Sequence, residues 1–325
     1  MGDVVVLEAG DRSVIDPATL ARQDMDAARG FLRAEKADAT RRAYAGDWRT
    51  FTAWCAERAA LPLPAAGETV AAFLAWSATS GAKPSTIGRR LAAIRYAHTT
   101  AGHESPSTVE GVRATLRGIR RTVGAAPAQK APATVETVTA MLAAIPATTL
   151  RGKRDRALLA LGFGGAFRRS ELVALTVEDL TEAPEGLRIR IARSKTDQEG
   201  AGQEIAIPAG SRIRPVEAVK EWLAAAGIAT GPIFRRVSKA DRVLDGGLTA
   251  EAVALVVKAR AKVAGFDPAA FAGHSLRAGF LTSGAERGAS IFKLMEVSRH
   301  RSVDTLRGYV RRAELFKDHA GAAFL

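Results

Sequence analysis

Apolar positions recur at helical intervals along most of this chain and alternate at period two only in one short stretch. Residues 17–36 are Ala-rich and fit a first helix. Thr40 is placed to N-cap a second, with Tyr44, Trp48, Phe51 and Cys55 on one face at spacings of four, three and four. That stripe reads as a buried face, as do Tyr44 and Tyr96 generally. Further helices are predicted over 68–80, from Ser85 or Thr86 onward, and over 107–123. Val70, Phe73 and Leu74, then Ile87, Leu91, Ile94 and Ala97 or His98, are their inward positions. Beyond residue 133 the pattern is mixed. Helices are predicted over 134–145, 151–163 and 168–175, and again over 211–226, 249–264, 275–287, 290–297, 302–310 and 313–320. Between the two sets, residues 187–193 alternate and read as a strand, and 203–207 as its hairpin partner. The polar tip of that hairpin is 194–202.

The two patterns meet at 124–133, a small, Pro-containing, aperiodic stretch that reads as an interdomain linker. The predicted organisation is an acidic flexible tail over 1–16, a helical domain over 17–123, the linker, and a second domain over 134–325. The fold class is mainly α with a small antiparallel β-sheet: an all-α N-terminal domain and an α+β C-terminal one. The balance of 47% hydrophobic and 25% charged residues is that of a globular protein and excludes a disordered chain, collagen or a coiled-coil rod. No apolar run approaches the ~18 residues of a membrane span, so no membrane partner is expected. Residues 4–7 are too short an apolar run for a signal peptide. A single cysteine, Cys55, suits a reducing, cytoplasmic setting. Five scattered histidines without a Cys cluster argue against a structural metal.

Charge changes the picture. The 47 Lys and Arg outnumber the 34 Asp and Glu, for a net +13. Residues 1–39 hold eight acids and five bases, whereas residues 40–130 hold thirteen bases and five acids. Arg113, Arg117, Arg120 and Arg121 fall on one helical face, and Glu110 is the only acid between Ser105 and Val135. With Arg41, Arg42, Lys83, Arg89, Arg90 and Arg95 they form a candidate surface for tracking the phosphates of a nucleic acid.

The familiar phosphate and hydrolase motifs are missing: no G-x-x-x-x-G-K-[ST], no H-E-x-x-H, no G-x-S-x-G. What stands out is a series of polar groups in an Ala-, Leu- and Val-rich block. Arg168 and Glu171 lie one helical turn apart. Lys195 lies at the hairpin tip. His274 and Arg277 are three residues apart at a helix start, and His300 precedes Tyr309 by nine residues.

Together these residues resemble the tyrosine recombinase (phage integrase) family of site-specific recombinases. Its pattern is G-[LF]-R-x-[SG]-E, a hairpin lysine, H-x-x-R, then H-x₈-Y. The chain departs from it where the usual Gly before the second histidine is Arg299, and where Ala278-Gly-Phe follows Arg277. The resemblance implies a C-shaped clamp on a double-stranded DNA recombination site. It also implies a homotetramer joined through exchanged C-terminal tails, and cleavage through a covalent 3′-phosphotyrosine on Tyr309 without cofactor or metal. A type IB topoisomerase-like enzyme and a non-catalytic DNA-binding protein of the same fold are the alternatives.

The chemistry explains the residue types. Tyrosine, with a pKa near ~10, is only about one part in a thousand phenolate at neutral pH, roughly 4 kcal/mol away. Arg168 and Arg277 offer planar forks to the nonbridging phosphate oxygens. His300 adds a hydrogen bond there and His274 accepts or relays the phenol proton. Lys195 protonates the departing 5′-oxygen, as the resemblance implies. Glu171 holds His274 or an arginine in place.

Overall fold

The computed structural model describes residues 24, 26–28, 30–31, 35–124, 130–192 and 202–313, the last three as backbone. The expected acidic tail, most of the first helix, the hairpin tip with Lys195 and all but the first residue of the helix expected over 313–320 lie outside the described residues. The chain divides into two compact units, Met1–Pro127 and Ala128–Leu325.

In the first unit four helices are described in full: α1 (Asp38–Ala56), α2 (Gly67–Thr79), α3 (Pro84–Thr100) and α4 (Glu110–Val123). Ala37, not Thr40, is the N-cap of α1; Asp38 then brings a carboxylate to the positive end of the helix dipole. Phe51, Phe73, Leu74, Ile87 and Ile94 are fully buried, and the Phe51 and Phe73 rings meet edge-on at 4.9 Å. Each such side chain contributes roughly 1.5–3 kcal/mol. The α1 stripe is buried only at its C-terminal end. Tyr44 stays half-buried, 5.7 Å from the ring of Tyr96, and both line an apolar surface cavity of about 440 Å³ with Trp48 and Ala97. These tyrosines are therefore not core residues. His98 is: its Nδ1–H donates to the Ile94 carbonyl and its Nε2 accepts the Ala65 N–H, both at 2.8 Å.

The second unit orders α5 (Val135–Ala143), α6 (Leu150–Gly164), α7 (Arg169–Ala174), β1 (Leu180–Ala183), β2 (Gly186–Ile191), β3 (Gln203–Pro208), α8 (Pro215–Ala226), β4 (Arg235–Val237), β5 (Val243–Gly247), α9 (Ala250–Val263), α10 (Ser275–Glu286), α11 (Ile291–Ser298) and α12 (Val303–Ala313). Residues 157–163 of α6 are buried on every side, which makes it the central helix. The β2–β3 pair turns Leu187, Ile189, Ile205 and Ile207 inward, with Leu187 opposite Ile207 and Ile189 opposite Ile205. The single hairpin read from the sequence is an incomplete account. Strand β1 adds an antiparallel edge to β2, and β4–β5 form a second sheet. Those strands are short and lack apolar alternation, so nothing in the pattern announces them.

Two further features shape the site. Ahead of α5, Ala131 N–H donates to the Ala270 carbonyl at 2.8 Å and Ala133 N–H to that of Ser275 at 2.9 Å. A side chain at Gly279 would meet the Ala133 carbonyl oxygen at 1.7 Å, so only glycine lets α10 pack there. A small separate core of Leu281, Ala285, Leu294 and Leu306 ties α10, α11 and α12 together. Among the described residues no helix is long and apolar enough to cross a membrane.

Candidate active site

The site is built on the turn after α6. Gly165 tolerates no side chain, since a Cβ would lie 2.3 Å from the Phe167 ring, and Ala166 is held at φ +45°. The turn presents two carbonyls to guanidiniums from distant parts of the unit. Ala166 accepts from Arg277 Nη1 at 2.8 Å and from Arg299 Nη2 at 3.2 Å, and Gly165 accepts from Arg299 Nη1 at 3.0 Å. Arg168 then N-caps α7, and Glu171, one turn on, reaches back to accept the Arg168 backbone N–H at 2.9 Å.

Glu171 is the hub. Its Oε1 accepts from Arg168 Nη1 at 2.5 Å and its Oε2 from Arg299 Nη2 at 2.8 Å. It binds arginines, not His274, which decides the alternative left open by the sequence. Burial alone would raise its pKa; Arg299, with the Arg168 backbone and guanidinium, overrides this and holds it below the usual carboxylate range. Arg168, Arg277 and Arg299 thus set three positive charges around one negative charge. Burial and the like charges of Arg168 and Arg299 pull Arg277 down to about 9. Such a cluster favours an anion.

Arg277 occupies the first turn of α10 and is wholly buried. One nitrogen of its fork donates to Ala166 and the other lies against His300, 3.2 Å from Nδ1 and 3.3 Å from Nε2. Ser298 Oγ donates to the Leu294 carbonyl at 2.5 Å, so its single proton is used and His300 Nδ1–H donates to it at 2.7 Å. That assignment leaves His300 Nε2 as the acceptor facing Arg277. Burial, then Arg277, Arg168, His274 and Arg299, lowers His300 to about 4, so the ring is neutral at pH 7. His274, at the N-cap of α10, is exposed at the surface. The protein packed around its ring, then Arg277, Arg168 and Arg169, still lowers its pKa. Tyr309 sits half-buried on α12, against the small core, and shares a cavity of about 320 Å³ with His274, Ser275 and Thr282.

Five of the six predicted catalytic residues, Arg168, His274, Arg277, His300 and Tyr309, thus come from four separate stretches into one neighbourhood. Lys195 lies outside the described residues. Sequence reasoning missed Arg299, noted only as a departure from a pattern. It stands at φ +58° after α11, where a non-glycine residue costs about 1–2 kcal/mol. An arginine in a slot that suits glycine was the available signal.

The predicted DNA-binding residues divide. Arg89 forms a bidentate pair with buried Asp47 at 2.7 and 3.1 Å, and Arg90 donates to Ser77 and lies over the Phe73 ring. Both thus hold partners within the first unit, Arg89 with about half of its side chain exposed. Arg41 and Arg117 pair with Asp38 and Glu110. Arg42, Lys83, Arg95, Arg113, Arg120 and Arg121 are exposed and form no ion pair among the described residues.

Residues 133–315 match the phage integrase family, and residues 30–105 match the phage integrase N-terminal SAM-like domain. The chain is 40% identical over 293 residues to an integrase/recombinase xerD homolog of Selenomonas ruminantium, spanning 89% of this chain and 86% of that one. It is 33% identical over 159 residues to the tyrosine recombinase XerD of Corynebacterium glutamicum, 48% of this chain and 47% of that one. In fold it is similar to a lambda integrase dimer bound to a COC′ core site, with TM-score 0.59 at 18% identity over 89% of this chain and 95% of that one. These matches and the arginine–histidine–tyrosine cluster define the class: a tyrosine recombinase, an enzyme that breaks and rejoins DNA. The chain belongs to the phage integrase family.

Proposed function

We propose that Tyr309 is the nucleophile of a site-specific recombination reaction, served by Arg168, Arg277, His274, His300 and Lys195. The observation that carries this reading is the net positive cluster around Glu171, with His274 and Tyr309 lining one cavity beside it. Tyr309 Oη attacks the scissile phosphorus and its proton passes to His274, which burial and then the surrounding positive charge keep neutral and able to accept it. The 5′-oxygen leaves with a proton from Lys195, and a 3′-phosphotyrosine remains. A 5′-hydroxyl of the partner strand then reverses the step, so bond energy is conserved. Arg168 and Arg277 stabilise the charge that the phosphate gathers in the transition state.

The domains in this proposal are those of the sequence, 17–123 and 134–325 joined by 124–133, closing as a clamp on double-stranded DNA. Relatives support a DNA site as partner: one neighbour of similar fold, at TM-score 0.56 and 19% identity over 77% of this chain and 70% of that one, is XerH bound to its difH substrate after cleavage. Four protomers linked by their C-terminal tails would complete the reaction. The test is a nicked duplex bearing the sequence that the purified protein enriches from random DNA. Wild type is expected to form a covalent protein–DNA adduct and Tyr309→Phe none; an adduct with the Phe variant overturns the assignment. Sedimentation of the synapsed complex distinguishes a tetramer from the one-to-one complex of a topoisomerase-like enzyme.

A further inference from the structure

Arg299 is a deeply buried charge that the proposed reaction does not use. Its side chain is 1% exposed, as is that of Glu171, and it donates to the carbonyls of Gly165, Ala166 and Val297 as well as to Glu171. Its guanidinium also lies 5.1 Å from the centre of the Phe167 ring. It is linked to both predicted phosphate-binding arginines. Arg168 is shared with it through Glu171 and through the Arg299 carbonyl, which accepts from Arg168 Nη2 at 3.2 Å. Arg277 shares with it the Ala166 carbonyl.

The charge balance gives this arrangement a meaning. A buried carboxylate beside Arg168 cancels that guanidinium at the distance of a phosphate. With Arg299 absent, Arg168, Arg277 and Glu171 sum to one positive charge. With Arg299 present they sum to two, the charge that a phosphodiester reaches in its five-coordinate transition state with the sign reversed. We propose that Arg299 is a positioning residue that neutralises Glu171, so that Arg168 and Arg277 present two uncancelled positive charges to the scissile phosphate. Glu171 then keeps its mechanical task, aiming Arg168 through two hydrogen bonds, without subtracting from the field that Arg168 exerts. The inference rests on the assignment of Arg168 and Arg277 to the phosphate.

Charge and mere packing are separable by substitution. Arg299→Lys keeps the charge and loses the fork; Arg299→Gln keeps hydrogen bonding and loses the charge. On the nicked duplex selected as above, at saturating protein, the Lys variant is expected to form adduct within about tenfold of wild type. The Gln variant is expected to be slower by about a hundredfold, with duplex Kd changed less than about threefold. Removing the carboxylate charge as well, in Glu171→Gln/Arg299→Gln, is expected to recover at least about tenfold over the Gln variant. A Gln variant as fast as the Lys variant, or a double variant no faster than the Gln variant, overturns the proposal. Should Arg299→Gln fail to fold, Glu171→Gln alone carries the test. It lowers no positive charge and is expected to cleave within about tenfold of wild type, and a hundredfold loss overturns the proposal. Absence of any adduct with wild type would instead count against the parent assignment of Tyr309.

Discussion

Arg277 lies directly against His300, with Nη2 within 3.3 Å of both ring nitrogens. Burial of the imidazole, and then the Arg277 cation in contact with it, lowers its pKa to about 4 and keeps it neutral at pH 7. Arg277 itself is wholly buried. In the reaction proposed, a phosphate arriving beside this pair would supply the negative charge under which His300 can hold a proton.

The first prediction concerns that proton. His300 is lowered in the folded chain from 6.5 to about 4, so between those values the unfolded chain binds more protons. Folding stability should therefore fall as pH drops from 7 toward 4, in the direction His274 shares. Thermal unfolding midpoints across this range, compared with those of His300→Asn, check it. Calorimetry of DNA binding at pH 5.5 in buffers of different ionisation enthalpy should show proton uptake that His300→Asn reduces.

Arg168→Ala and Arg277→Ala should both retain DNA binding and lose cleavage, by about 10²–10³-fold each. They should differ in stability. Arg168 is partly open, whereas Arg277 is fully buried and holds the Ala166 carbonyl. Removing Arg277 is expected to cost a further 1–3 kcal/mol or so, measured by urea denaturation. Equal stability of the two variants would contradict the burial described.

The basic residues of the first unit should separate into two kinds. Arg120→Ala and Arg121→Ala are expected to leave folding unchanged and to reduce the log–log salt slope of DNA binding by about 0.9 each. Arg89→Ala is expected to lower stability by about 1–3 kcal/mol, because Asp47 is left buried without its partner. Filter binding over a salt series, paired with thermal unfolding, distinguishes them.

Gly279→Ala should be poorly tolerated although it adds one methyl to a helix interior. The new Cβ would meet the Ala133 carbonyl oxygen at 1.7 Å, so α10 must move, and with it His274 and Arg277. Overpacking of this kind costs about 1–3 kcal/mol. Both unfolding midpoint and adduct formation are expected to fall, whereas Gly118→Ala, where a side chain meets open space, should be neutral or stabilising.

Much of this protein was legible before its fold. The helices of both units follow apolar periodicity, because amphipathic helices bury a face whatever they pack against, and the observed ends of α2, α6 and α9 fall within one residue of expectation. The paired strands around residues 187–207 announced themselves by alternation. The predicted catalytic residues stood out as polar groups in an apolar block. Strands β1, β4 and β5 did not, since they are held by edge pairing rather than by a buried face of their own.

The sequence alone therefore determined residue chemistry and local periodicity: which side chains can hold a phosphate or move a proton, and which segments coil. The tertiary structure decided who partners whom. It alone placed Arg299 on Glu171 across 128 positions of chain, folded Arg89 back onto Asp47, and set His300 over Arg277. Those pairings set net charge and protonation at the site, and they depend on distance through space, which the order of residues does not encode.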